Sequence, residues 1–245
     1  MKKIFLSFGL AIAISFAGVQ PLLASYPINI STAKNKIDER DVRDFNGVIA
    51  GGPITVIITL GNTEGVRFEG DADAIATLIT EKRGTALVIR PQNSWTSWAR
   101  KYQGKKITAY VSAKTIKSLT MSGDGKMSIT NKVDTESLNI NLSGSGSITA
   151  NINVDGFVAN VSGSGILNLS GSADNANVNI SGSGSLAKKG FTVGNLTSVI
   201  SGSGSVNANV EDSINATISG SGSINYSGDP EVKQRVFGSG RVRKI

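Results

Sequence analysis

Four groups of residues in this chain have types and spacings that could do chemistry. The first is Trp95-Thr96-Ser97-Trp98-Ala99-Arg100-Lys101-Tyr102, which holds both tryptophans of the sequence and runs on to Lys105 and Lys106. Aromatic faces stack on sugar rings and neighbouring cations attract acidic groups, so Trp95, Trp98, Arg100, Lys101 and Tyr102 form a candidate ligand patch. The same rings could instead cover an open end or side of an apolar core. The second group is a pair of Ser-x-x-Lys tetrads, Ser31 to Lys34 and Ser185 to Lys188, matching the acylation motif of penicillin-recognising enzymes. That chemistry needs the serine and lysine one helical turn apart, with Ser-Asp-Asn and Lys-Thr-Gly partners, and neither partner motif occurs. Third are the Gly-x-Gly pairs, which lack the third glycine and the Lys-Ser/Thr of a phosphate loop. The fourth group is acidic: Asp124, Asp134, Glu136, Asp155, Asp174, Glu211, Asp212 and Asp229. Two of them would have to meet in a groove to cut a polysaccharide, and they show no regular frame position that would gather them into one cleft.

Composition narrows the chemistry further. The 245 residues include no His and no Cys. A thiol nucleophile, a Ser-His-Asp triad, a His or Cys metal site and a disulfide are therefore excluded. Any metal would be a hard, oxygen-bound ion, and no cofactor is expected. The net charge of +7 is divided unevenly: residues 1–24 carry +2, residues 25–121 carry +5, residues 122–229 carry −4 and residues 230–245 carry +4. No basic stripe runs through the middle, so nucleic acid is not an expected partner. Basic ends could meet glycans or anionic envelope polymers.

Residues 1–24 read as a secretory signal peptide. Lys2 and Lys3 precede an apolar run from Ile4 to Ala17, and Leu22-Leu23-Ala24 offers a small-residue cleavage site. A membrane anchor would need about 20 unbroken apolar residues, and Ser7, Ser15, Gln20 and Pro21 interrupt this stretch. The mature chain is expected in the periplasm, at the cell surface or secreted, with no transmembrane span. Residues 25–41 carry no period and read as a flexible N-terminal arm.

A repeat supplies the elements that must position everything else. One motif recurs at Ser122-Gly123-Asp124-Gly125, Ser143 to Gly146, Ser162 to Gly165, Ser181 to Gly184, Ser201 to Gly204, Ser219 to Gly222 and, degenerately, Phe237 to Gly240. The residue before each copy is apolar: Met121, Leu142, Val161, Ile180, Ile200, Ile218 and Val236. So is the fifth residue after each copy's first: Met127, Ile148, Leu167, Leu186, Val206, Ile224 and Val242. Upstream the two-residue alternation continues, with Lys117, Ser198 and Gln234 as lapses. Period two broken by paired glycines predicts strands, and a repeat of about 19 residues predicts a solenoid. The fold class expected is all-β: a single-domain β-helix, or β-solenoid, with Gly-Ser corners. Residues 122–245 form regular coils and residues 42–121 less regular strands, with one short helix over Asp71 to Lys82. Coils would stack at about 4.8 Å. Glycine at each corner answers either a positive φ or a close approach of coils, and the serines between would form a ladder along one edge.

The opening block Arg43-Asp44-Phe45-Asn46-Gly47-Val48, then Gly52, Ile54-Thr55-Val56 and Val66-Arg67-Phe68-Glu69-Gly70-Asp71, joined to the Ser-Gly-Ser-Gly coils, resembles a known family. It is that of the putative auto-transporter adhesins with a head GIN domain, and the resemblance covers about residues 40–245. It implies a β-helical exported domain of the bacterial envelope, named for adhesion, and no catalytic residue. The reading is a structural or adhesive, non-catalytic protein. One alternative is a carbohydrate-binding or polysaccharide-cleaving β-helix using the Trp95/Trp98 patch with Arg100 and Lys101. Another is an envelope-stress or assembly factor that binds anionic surface polymer through its basic ends. Unpaired solenoid ends also make a homo-oligomer an expectation.

Overall fold

Alternating aliphatic and polar residues become strands in both halves of the chain. The computed structural model describes residues 35–186 and 190–245; the expected signal peptide, residues 25–34 of the arm, the first Ser-x-x-Lys tetrad and Lys188 of the second lie outside them. The first half holds β1 (Asn35–Arg40), β2 (Gly47–Gly51), β3 (Thr55–Leu60), β4 (Gly65–Asp71), α1 (Ala72–Ala76), β5 (Leu78–Arg83), β6 (Ala86–Pro91), α2 (Trp95–Lys101), β7 (Ile107–Ala113) and β8 (Ser118–Gly123). The second holds β9 (Lys126–Gly144), β10 (Ser147–Gly163), β11 (Ile166–Gly182), β12 (Ser185–Leu186), β13 (Phe191–Gly202), β14 (Ser205–Gly220), β15 (Ser223–Ser227), β16 (Glu231–Gly238) and β17 (Arg241–Lys244). Successive coils pair in parallel and in register, so Ser122, Ser143, Ser162, Ser181, Ser201, Ser219 and Phe237 stand in one column. The chain is a β-solenoid.

Its corners separate the two demands that glycine could meet. The first glycine of each motif, from Gly123 to Gly238, has φ between 103° and 122°, which side-chain-bearing residues avoid. The second does not share that conformation and is held to glycine by space: a Cβ on Gly184 would lie 2.5 Å from Val161 Cγ1, and one on Gly204 2.5 Å from Ile180 Cγ2. Between the glycines the Ser164 backbone N–H donates to the Gly144 carbonyl of the preceding rung at 2.9 Å, as Ser183 and Ser203 do to Gly163 and Gly182. Corner and sheet are thus one continuous hydrogen-bonded ladder.

Inward residues fill the shaft. Leu142, Val161, Ile180, Ile200 and Ile218 are buried, and Phe157 meets Phe191 edge-on with ring centroids 5.6 Å apart. Each lapse in the alternation has its own outcome. Lys117 is exposed and Ile116 is buried beside it; Gln234 lies on the exposed last rung. Ser198 stays inside with its Oγ unpartnered.

Residues 42–121 are more regular than their sequence suggests. β2 and β3 wrap a corner at Gly52, and β2 pairs in parallel with β8 on one side and β6 on the other. In the same way β3 lies between β9 and β7. Rung order therefore departs from chain order: β6 and β7 lie outside β2 and β3, which lie outside β8 and β9. The chain leaves the solenoid after β3, builds the outer rung, and returns to continue below. Val48, Ala50, Val56 and Ile58 continue the buried columns of Leu119, Met121, Met127 and Ile129.

Two expectations need correction. The arm is not flexible throughout, because residues 35–40 form β1, antiparallel to β4. Arg40 anchors it by donating to the Leu78 carbonyl at 2.6 Å, to Thr80 Oγ1 at 2.9 Å and to the Ile75 carbonyl at 3.1 Å, with its guanidinium 4.7 Å from the Phe68 ring centroid. An edge strand tied down by one arginine needs no apolar period. The helix expected over residues 71–82 stops at Ala76, and Leu78–Arg83 turn back as β5 to pair antiparallel with β6. Asp71 Oδ1 caps α1 from the Ala74 N–H, but five residues make a marginal helix, and pairing of β-branched Ile79 and Thr80 with β6 outweighs it.

Candidate functional site

The aromatic patch folds inward. Ser94 Oγ accepts from the Ser97 N–H and starts α2, which sits where the outer rung would otherwise need a Gly-x-Gly corner. The helix spacing puts Trp95, Trp98 and Tyr102 on one face. Trp98 is 5% exposed and Tyr102 8%. Trp98 Nε1 donates to Thr77 Oγ1 at 2.9 Å, and Tyr102 Oη donates to the Asp73 carbonyl at 3.2 Å. Trp95 packs edge-on against Trp98 at 5.6 Å and lies across the β2–β3 corner, so that a Cβ on Gly51 would be 2.8 Å from its Nε1 and one on Gly52 would strike its ring. The glycine column ends under an indole. These rings are committed to packing, and the recess beside them, about 100 Å³ between Thr77, Gln92, Trp98 and Lys101, is smaller than ligand pockets usually are. Arg100 and Lys101 remain exposed on the outer side of α2, with Lys101 Nζ 5.1 Å from the Tyr102 ring centroid. Trp95, Trp98 and Tyr102 therefore pack over the end of the glycine column, with Trp95 partly exposed.

The acids behave differently from the sequence reading. All eight in the repeat region are exposed. Register places Glu136 opposite Asp155 and Asp155 opposite Asp174 at the second corner of each coil. Gly194 follows Asp174 in that column, and Asp212 Oδ2 lies 3.1 Å from where a Gly194 Cβ would be. The position was legible after all. It is the seventh residue before each motif, held in turn by Thr115, Glu136, Asp155, Asp174, Gly194, Asp212 and Pro230. Coil length varies before or at this corner, where the register shifts between Thr149 and Asn151 and between Val193 and Asn195, so only a backward count exposes it. The result is a carboxylate column along an exposed edge.

A second ladder covers the side wall. Asn160 Nδ2 donates to Asn141 Oδ1 and Asn179 Nδ2 to Asn160 Oδ1, each at 3.0 Å. On another face Asn225 donates to Asn207 at 2.8 Å and Arg243 to Asn225 at 2.6 Å. Asparagine, and not the corner serine, makes the side-chain ladder. It can do so because its amide both donates and accepts along the stacking direction.

Further out, β7 carries Tyr110 with the Arg67 guanidinium 4.3 Å from its ring centroid. Shallow grooves of about 490 Å³ and 340 Å³ flank that pair, the first walled by Glu39, Asp41 and Arg67, the second by Glu69, Lys105 and Thr108. Nothing in the sequence marked Tyr110 beyond strand alternation. Three carboxylates of the first half have lowered pKa values. Asp71 lies below the usual carboxylate range because Lys105 bonds it at 2.8 Å and the Ala74 N–H adds to this. Glu64 is lowered by Lys114 at 3.0 Å and by the Asp44 N–H, and it braces Asp44, whose φ is +57°. Glu81 is lowered by Arg90 at 2.8 Å. Every resolved carboxylate shift runs opposite to what a general acid needs.

A family model described as "Putative auto-transporter adhesin, head GIN domain" matches residues 44–230. The chain belongs to this family. Solved structures share the fold. One is a putative adhesin from Bacteroides fragilis, with TM-score 0.78 and 22% identity over 86% of this chain and 97% of that one. Another, from Parabacteroides distasonis, is described as a putative lipid binding protein, with TM-score 0.69 and 22% identity over 87% of this chain and 98% of that one. A putative adhesin from the same organism has TM-score 0.70 and 20% identity over the same shares of both chains. No curated protein matches the chain. Among the described residues no helix is long and apolar enough to cross a membrane.

Proposed function

We propose that this head GIN protein is an exported cell-envelope solenoid with a structural or adhesive, non-catalytic role, and that its side wall is the contact surface. The observation that carries the reading is the asparagine ladder from Asn141 through Asn160 to Asn179. Stacked rungs repeat the same amide at about 4.8 Å. Their mutual hydrogen bonds fix the side chains before any partner arrives, which lowers the ordering cost of contact. Rows of amides that donate and accept suit hydroxyl-rich polymers, so surface glycans are the partners this reading expects. Membership of a family named for adhesion supports it, and the signal-peptide pattern of residues 1–24 supports export. The capping role of Trp95 and Trp98 removes the motive for a carbohydrate-cleaving site there.

The test compares surface attachment and biofilm of cells lacking the gene with cells carrying the protein or an Asn141→Ser/Asn160→Ser/Asn179→Ser variant. Loss of attachment in the deletion, restored by the native protein and poorly by the folded variant, is expected. Attachment unchanged by the deletion would overturn the proposal.

A further inference from the structure

The two ends of the solenoid are finished differently. On the outer rung β6 is covered by β5 and β7 by β4, both antiparallel, and β1 then covers β4. At the other end β16 pairs only with β14 and β17 only with β15 among the described residues. β16 is eight residues long, free of proline and bulge, and presents an unpaired row of backbone N–H and C=O groups.

What surrounds that row decides which strand could join it. In the column where the other six copies of the motif carry serine, this rung carries Phe237, which is 66% exposed. Val236, at a position buried in earlier rungs, is 36% exposed, and Val232 and Val242 are only partly covered. Beside them lie Lys233, Arg235, Arg241, Arg243 and Lys244, against Glu231 alone from residue 230 onward. Lys233 is paired with Glu231, Lys244 with Asp229, and Arg243 donates to Asn225. Arg235 and Arg241 have no ion pair among the described residues.

Cations on an edge strand commonly serve to repel neighbours. Here they oppose a second copy in the central register. A second copy docked antiparallel about Gln234 would set Lys233 opposite Arg235 on one face, and like charges directly opposite destabilise a sheet. An acidic strand meets the reverse situation, with Phe237 beyond the charges on the outer face and the valines offering apolar cover on the inner face.

We propose that the last rung, β16 with β17, accepts an extended acidic segment of a partner polypeptide as one further strand. Its backbone pairs with β16, its acidic side chains lie beside Lys233 and Arg235, and its alternate apolar side chains cover Val232 and Val236. Strand addition to an open edge is an established mode of peptide recognition. This inference does not rest on the adhesive reading, which uses the side wall.

The test measures fluorescence anisotropy of a labelled eight-residue peptide alternating Glu and Val, titrated with the full chain. Expected are saturable binding, weakening by roughly tenfold between about 50 and about 500 mM salt, and new hydrogen-exchange protection confined to β16 and β17. Binding should be lost when the peptide is N-methylated at alternate residues and when Lys replaces Glu. Arg235→Glu/Arg241→Glu should weaken it at least about tenfold, the scale of a lost charge-assisted pair. Phe237→Ser, which restores the residue of the other rungs, should weaken it several-fold. The peptide controls decide the matter even if a protein variant folds poorly. Equal binding of the N-methylated peptide, protection of the same strands by anionic vesicles or an acidic glycan instead of the peptide, sedimentation as a dimer that protects β16 without peptide, or no binding at all would each overturn the proposal.

Discussion

Removing the Ser198 hydroxyl should make the protein more stable. Ser198 is 0% exposed, its Oγ has no hydrogen-bond partner, and it stands in register between Val178 and Ala216, so the column accepts apolar side chains on both sides. Burying a hydroxyl without a partner costs about 1–3 kcal/mol by mutational measures. Ser198→Ala returns that cost and forfeits the dispersion contacts of a single atom, each worth about 0.1–0.2 kcal/mol. A net gain of about 1 kcal/mol follows, or about 2–4 °C in Tm for a domain of this size. The mirror change in a column that has no hydroxyl neighbour, Val206→Ser between Leu186 and Ile224, deletes buried methyl surface and adds an unpartnered hydroxyl, so it should cost about 2–3 kcal/mol. Thermal melts together with urea titrations at constant m would measure both. If Ser198→Ala lowered Tm, the hydroxyl would have a partner in solution, and the reasoning from an apolar column would fail.

Gly182→Ala should be more damaging than Gly184→Ala, because Gly182 combines φ +111° with a Cβ 2.6 Å from the Gly163 carbonyl oxygen, whereas Gly184 has no such φ and meets Val161 Cγ1. Adding Val161→Ala should recover part of the denaturation midpoint of Gly184→Ala and none of that of Gly182→Ala. Trp98→Ala should cost about 3–5 kcal/mol of stability by urea titration, while Arg100→Ala and Lys101→Ala stay within about 0.5 kcal/mol; comparable effects at all three would mean that α2 is not a cap. Glu64, Asp71 and Glu81 have folded-state values below their ordinary 4.5, 3.8 and 4.5, so each adds stability above its ordinary value that is lost as pH falls toward the folded one. Tm should therefore drop as pH falls below about 4.5, and Glu64→Gln should flatten that drop; an unchanged pH profile in Glu64→Gln would show that Lys114 and Asp44 do not hold this carboxylate.

The candidate site was legible unevenly. Helical spacing from Trp95 through Trp98 to Tyr102 was visible, and so was the choice between ligand patch and cover. Which of these it was depends on Gly51 and Gly52, some forty residues earlier, lying beneath the indole. The acidic column hid in plain view, since Glu136, Asp155, Asp174 and Asp212 are each the seventh residue before the next motif while the preceding part of each coil varies in length. Tyr110 with Arg67 carried no signal, because cation and ring come from different strands joined only by antiparallel pairing.

Strand, corner and inward face were written locally. A two-residue alternation has one way to bury its apolar side, and a corner of positive φ has essentially one residue type that fits it. Seven repeated motifs therefore specified coils, columns and the places where glycine cannot change. The order of rungs was not written there. Backbone edges are chemically alike, so no local pattern states that β6 and β7 stack outside β2 and β3, that Arg40 reaches Leu78 and draws the arm into a sheet, or that Leu78–Arg83 abandon a five-residue helix for a partner strand. Those outcomes were settled by which free edge each segment met after the chain turned away at Gly61, and by the burial gained there.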